Sequence, residues 1–240
     1  MSEPIKLRPQ TNNRILDALP DEDYFRLEPL LENIKLPLSQ VLYKSDEIIK
    51  YVYFPINAMA SVVAMTFDGE CAEVGVIGRE GMVGIDVLLG VDSSTKEVLI
   101  QLSDGAFRIK TEEIRKEFKK AGALHDLTLR FVHCFIEQIS QTALCNRLHS
   151  LEERLARWLL MCHDRAENDD LSLTQEFLSI MLGTNRPSVT IAAINLQSAG
   201  FIKYSRGKIA VIDREGLEDF SCACYRTVQE VYSKMPTSIG

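Results

Sequence analysis

The hydrophobic pattern of this 240-residue chain changes period twice. Behind Asn12 and Asn13, two candidate caps, Ile15, Leu16 and Leu19 mark a short helix. After Pro20-Asp21 a second amphipathic run carries Phe25, Leu27, Leu30, Leu31 and Ile34. From Leu36 to about Lys110 the pattern is that of short strands. The apolar runs are Gln40–Tyr43, Ile48–Phe54, Ala58–Met65, Cys71–Ile77, Val83–Leu89, Val98–Leu102 and Ala106–Ile109. Turn chemistry separates them at Lys44-Ser45-Asp46, Asp68-Gly69, Gly78–Gly81, Gly90–Ser94 and Ser103-Asp104-Gly105. Seven short strands joined by hairpin-like turns predict a closed sheet, a barrel or jelly roll.

The helical period returns at Thr111, where a short charged helix runs toward Gly122. A long helix follows from about Leu124 to Leu144, with Leu148 as its far limit. Leu129, Val132, Ile136, Ile139 and Ala143 recur along it at heptad-like spacing, and Leu127, Phe131 and Phe135 lie on a neighbouring face. Two apolar faces on one helix predict packing on the chain's own barrel and on a partner copy; one broad stripe buried in a monomer is the alternative. A further helix over Leu151–His163 and the acidic turn Glu167–Asp170 lead to the last domain. The expected division is an all-β unit over 1–122, a dimerisation helix over 123–148 and a C-terminal domain over 149–240.

That last domain holds the most informative stretch, Leu173 to Thr190. Thr174 is placed to cap a short helix, Ser179 is small enough for close helix–helix approach, and Gly183 suits a left-handed turn. Asn185 is placed to cap a second helix that opens on Arg186 and Pro187, where a missing proline N–H costs little. Val189, Ala192, Ala193 and Leu196 give this helix an inner face, leaving Arg186, Ser188, Thr190 and Ile191 outward or toward its N-terminus. Gly200 to Ile212 reads as a hairpin with the basic turn Ser205-Arg206-Gly207-Lys208. This is a helix-turn-helix followed by a wing. Arg186 can donate bidentately to guanine, Ser188 and Thr190 can reach phosphates or base edges, and Thr174 and Gln175 can contact the backbone. With Pro187, Ile191, Lys203, Arg206 and Lys208 these form the candidate DNA-binding set.

Composition narrows the picture without changing it. The net charge of −7 argues against indiscriminate coating of nucleic acid, yet Thr184–Arg214 carries five basic residues against Asp213 alone, a local +4. No run approaches the ~18 apolar residues of a membrane span. Met1–Gln10 has no apolar core, so a cytoplasmic protein without membrane contact is expected. None of the six cysteines lies in a CxxC pair; Cys222-Ala223-Cys224 is the only close pair. They are expected to be buried free thiols rather than a zinc finger or ribbon, and no metal site or cofactor is predicted. Nucleophile elbow, P-loop and metal triad are all missing from the sequence, so it is not read as an enzyme.

At these residues the chain resembles the Crp/Fnr family, most specifically over Leu173–Ile212 and through the order of elements elsewhere. The resemblance implies an α+β fold: an N-terminal cyclic-nucleotide-binding-like β-roll, a long dimerisation helix and a winged helix-turn-helix. It also implies a homodimer on palindromic double-stranded DNA, RNA polymerase as a partner, and a small-molecule effector in the roll. By that likeness Arg186 matches the leading recognition-helix arginine, whereas Pro187 departs from the acidic residue many members carry next. The effector pocket departs further. Met82-Val83-Gly84-Ile85-Asp86 lacks the ribose-holding glutamate, and the stretch around Thr95 and Lys96 lacks the phosphate-holding arginine. Lysine has no bidentate fork, which argues against cyclic AMP. An iron–sulfur centre is not expected, since residues 1–35 hold no cysteine. Nor is haem, since His125, His133, His149 and His163 fall on helices outside the roll. Cys134 and Cys145, on the dimerisation helix, are candidate redox-sensing thiols. The alternative function is a ligand-sensing or interaction module whose winged domain binds protein.

Overall fold

A computed structural model describes residues 8–166, 170–205 and 207–236. Helices α1 (Arg14–Ala18) and α2 (Asp21–Leu27) open the chain, and the Asn13 side chain caps α1 by accepting from Ile15 and Leu16 N–H. Two sheets follow. One pairs β1 (Glu32–Leu36), β7 (Asp104–Lys110) and β3 (Tyr51–Pro55) in that order. The other runs β2 (Val41–Tyr43), β6 (Lys96–Leu102), β4 (Met59–Met65), β5 (Cys71–Ile77), and every pairing is antiparallel. Leu36, Val52, Phe54 and Ile109 from the first sheet meet Ala60, Val62, Val98 and Ile100 from the second in one buried core, the jelly-roll arrangement expected of such strands.

Three details differ from the sequence expectation. Ile34 lies in a strand rather than in the second helix: Pro29 falls in a 3-10 turn, and Glu32–Leu36 then pairs with Asp104–Arg108. Val83–Leu89 is not a strand. Val83 makes a single bridge to Tyr53, Gly84 takes φ 93°, and Ile85–Leu88 close a 3-10 turn. Ser103–Gly105 makes no hairpin either, because β6 and β7 belong to different sheets and the chain crosses between them there.

Helix α3 (Thr111–Phe118) leads to α4 (Ala123–Leu148), whose Leu124, Leu127, Phe131 and Phe135 complete the roll's core. Ser150 then caps α5 (Leu151–His163) in a capping box with Glu153. Strand β8 (Asp170–Ser172), α6 (Gln175–Met181), α7 (Arg186–Ser198), β9 (Ile202–Ser205), β10 (Lys208–Val211) and α8 (Arg214–Phe220) build a second core with α5. The last helix, α9 (Cys224–Ser233), turns back onto α4, where Val228 and Tyr232, followed by Met235, join the roll's core. Among the described residues no helix is long and apolar enough to cross a membrane.

Strand β4 is covered on both faces. Ala60 and Val62 point into the roll, while Met59 and Val63, with Val76 of β5, pack against the helix-turn-helix core. Polar groups thread this seam. Gln138 of α4 accepts from Val76 N–H (2.7 Å) and donates to Val76 C=O (3.2 Å) and Tyr232 Oη (3.0 Å). Arg165 and Glu80 form a buried ion pair at 2.6 Å. Glu73 accepts from Trp158 Nε1 at 2.7 Å, but its second oxygen has no hydrogen-bond partner. Burial pushes the Glu73 carboxyl up to about 7, against the pull of Ser61, Trp158 and two arginines.

Candidate nucleic-acid interface

Each turn of the helix-turn-helix has a local cause. Thr174 Oγ1 accepts from Phe177 N–H at 3.1 Å and starts α6. The Ser179 hydroxyl folds back to Glu176 C=O at 2.7 Å, so this residue adds little bulk at the buried crossing. Gly183, at φ 57°, supplies the left-handed turn. Asn185 Oδ1 accepts from Ser188 N–H at 2.9 Å and starts α7, with Pro187 in its first turn. Val189, Ala192, Ala193 and Leu196 are buried.

The opposite side of α7 is open. Arg186, Pro187 and Ile191 are exposed, and Ser188 and Thr190 are half-buried. The Thr190 hydroxyl donates to Arg186 C=O at 3.0 Å, which leaves its oxygen free to accept. Ile194, 54% exposed, extends this face one turn beyond Ile191. Sequence reading missed it, although the spacing of three residues was the available signal. Thr174 is exposed and Gln175 half-buried at the head of α6.

Strands β8, β10 and β9 form the wing sheet in that order, with Ile209 opposite Tyr204 and Leu171. The Leu173 N–H donates to Gly207 C=O at 2.8 Å, which places the wing turn beside the α6 cap. Gln197 Oε1 accepts from Tyr204 N–H at 2.7 Å and ties α7 to β9. Lys203 and Lys208 are exposed; Arg206 lies outside the described residues. Arg214 does not add to the basic footprint counted from the sequence. It binds Asp164 at 2.6 Å and Glu218 at 2.9 Å, so its charge is consumed within the chain.

The candidate effector residues are dispersed. Met82 and Val83 are fully buried, and Thr128 Oγ1 contacts Met82 Sδ at 3.6 Å. A Cβ on Gly84 would meet Tyr51 C=O at 3.3 Å. Thr95 is exposed, and Lys96 Nζ pairs with Asp86 at 3.5 Å. On α4, Leu129, Ile136 and Ala143 are exposed at successive heptad positions; Ile139 is half-buried and Val132 buried. Leu144 and Leu148, exposed on the last two turns, extend the apolar surface past the predicted seam.

Five of the six cysteines are buried. Burial raises the Cys134 thiol, which contacts Val231 C=O at 3.7 Å. Cys145 touches Cys222 and shares a cluster with His149 and Cys224.

Residues 153–220 match the family model of the Crp-like helix-turn-helix domain. No curated protein matches the chain. Among solved structures, a crp/fnr-family protein from Eubacterium rectale superposes with a TM-score of 0.69 at 15% identity, over 88% of this chain and 99% of that one. FixK2 from Bradyrhizobium japonicum gives 0.66 at 16% identity, over 80% and 98%. A CRP-family transcriptional regulator from Thermus thermophilus gives 0.66 at 16%, over 78% and 96%. At such identities the likeness is one of fold. Residues 153–220 are therefore a Crp-like helix-turn-helix domain, carried on a chain with the α+β fold of the Crp/Fnr transcription regulators.

Proposed function

We propose that the protein is a sequence-specific DNA-binding transcription regulator that acts as a homodimer, with α7 in the major groove. The observation that carries this reading is the capped N-terminal face of α7. It presents Arg186, Ser188, Thr190 and Ile191 beside a wing bearing Lys203 and Lys208. Arg186 leads the helix toward a guanine edge, and Ile191 offers an apolar contact of the kind a thymine methyl takes. Thr174, Gln175 and the wing lysines take phosphates, which fix register and add a salt-dependent attraction. The exposed heptad positions Leu129, Ile136 and Ala143 are the surface for a second copy. Two-fold pairing there sets two recognition helices on a palindromic site with half-sites about 34–36 Å apart. RNA polymerase is the partner such a regulator addresses. The effector in this reading is not cyclic AMP, which the pairing of Lys96 with Asp86 and the burial of Met82 and Val83 support.

The test is a fluorescence-anisotropy titration of the protein against its own promoter fragment. Affinity falls by orders of magnitude between ~50 and ~200 mM salt and ignores added cyclic AMP. Arg186→Ala weakens specific binding by about 1–3 kcal/mol and relaxes preference at one base pair. Equal affinity and equal preference in that variant remove Arg186 from its role. Binding to promoter and scrambled DNA alike removes sequence specificity.

A further inference from the structure

Cys145 lies on the last turn of α4, and His149, four residues on, is the C-cap of that helix. Cys222 and Cys224 flank Ala223 in the turn from α8 into α9. The fold brings these two pairs together across a gap of more than seventy residues. Cys145 Sγ lies 3.4 Å from Cys222 Sγ, and Cys224 Sγ lies 3.5 Å from His149 Nδ1. All four ligand atoms lie within 4.8 Å of one another, and the three thiols are buried.

We propose that these four residues bind one zinc ion in a tetrahedral three-cysteine, one-histidine site. With Zn–S near 2.3 Å and Zn–N near 2.05 Å, a tetrahedron has S···S edges of about 3.8 Å and S···N edges of about 3.6 Å. The Cys224–His149 contact already matches its edge, the Cys145–Cys222 contact needs to open by about 0.4 Å, and the widest separation, 4.8 Å, needs to close by about 1 Å. The set is too tight for an iron–sulfur cluster, whose cysteines ligate separate irons. Thiolate-rich sites with one imidazole select zinc over magnesium or calcium, which take oxygen ligands.

A second observation points the same way. Arg154 and Arg157 lie on the adjacent α5, and Arg157 reaches α4 by donating to Thr142 Oγ1 at 3.2 Å, one turn before Cys145. The Nε atoms of both are buried without a hydrogen-bond partner, and Arg157 is 5% exposed. Three thiolates and one Zn²⁺ leave a net charge of −1, which a guanidinium group on α5 would offset from the outer shell. Three neutral thiols supply no such counter-charge.

The ion would fasten the turn before α9 to the end of α4, next to Ser150 where the chain enters the helix-turn-helix domain. Binding displaces three thiol protons to solvent, so occupancy falls as pH is lowered. The proposal does not depend on DNA binding.

The test uses the full, untagged chain, purified under reducing conditions without chelator. Metal analysis is expected to find one zinc per protomer, released when the thiols are titrated with a mercurial. Replacement by cobalt(II) is expected to give the strong visible bands of tetrahedral coordination together with thiolate-to-cobalt charge transfer. Cys224→Ser and His149→Ala lose the metal, whereas Cys71→Ser keeps it. A wild-type protein that carries no zinc and gives no tetrahedral cobalt spectrum overturns the proposal without reference to any variant. So does a Cys145–Cys222 disulfide in the protein as isolated, or full zinc occupancy in both ligand variants.

Discussion

Glu73→Gln separates the cost of a buried charge from the rest of the fold. Glu73 sits between the roll and the helix-turn-helix core, and burial raises its carboxyl from 4.5 to about 7. A folded-state value above the unfolded one means that the folded protein binds this proton more tightly. The associated stability is therefore complete below about pH 4.5 and is lost as pH rises through about 7. At 1.36 kcal/mol per unit the full loss is about 3 kcal/mol, most of which falls between about pH 5 and about pH 8. Glutamine keeps an oxygen to accept from Trp158 Nε1 and has no charge to bury. Urea unfolding, followed through the fluorescence of Trp158, the only tryptophan, measures both proteins at both pH values. The stability difference between wild type and variant should shift by roughly 2–3 kcal/mol in favour of the variant on going to the higher pH. Histidines and other groups titrate in both proteins and cancel. Parallel pH dependences would refute the reasoning and show that Glu73 enjoys more solvation or counter-charge than its burial implies.

Glu80→Ala leaves Arg165 as an uncompensated buried charge and is expected to cost about 3–5 kcal/mol, read as a lower urea midpoint. Gly81→Ala places a Cβ 2.0 Å from the Phe131 ring, with no room for the ring to withdraw from the core, and costs about 3 kcal/mol or more in the same measurement. Ile136→Glu puts a charge in the middle of the exposed α4 stripe. Sedimentation is expected to show monomers with little change in the thermal midpoint, and an intact dimer would discard the heptad surface.

The helix-turn-helix was legible because its signals are local. Thr174, Gly183 and Asn185 act on residues within four positions of themselves, and the inner face of α7 repeats at helical spacing. The sheet region was legible in composition but not in pairing. Leu27, Leu30, Leu31 and Ile34 satisfy a helical period, yet Ile34 is claimed by Ala106, a strand partner more than seventy positions away. The Val83–Leu89 run has a strand's hydrophobicity, and Gly84 alone diverts it. The same limit hid the cysteine cluster, since neither half has a CxxC spacing and the two meet only through the return of α9 to α4. Arg214 counted as positive charge in the sequence until the fold set it against Asp164. Candidate residues could be named where chemistry and periodicity coincide in one segment, and could not where the partner comes from a distant part of the chain.

The return of α9 also bears on how the molecule is made. Val228, Tyr232 and Met235 share a core with Ile15 and Leu16, and Arg14 donates to the Met235 carbonyl across 221 positions. Helix α1 thus lacks part of its packing until the chain has been made as far as Met235. Assembly of the amino-terminal half waits on the carboxy-terminal one, in contrast to the usual order in which domains fold as they are synthesised. Contacts of such long span slow folding and prolong the exposure of the roll's apolar strands. A nascent chain stalled after α8 would present that unfinished surface to chaperones and proteases.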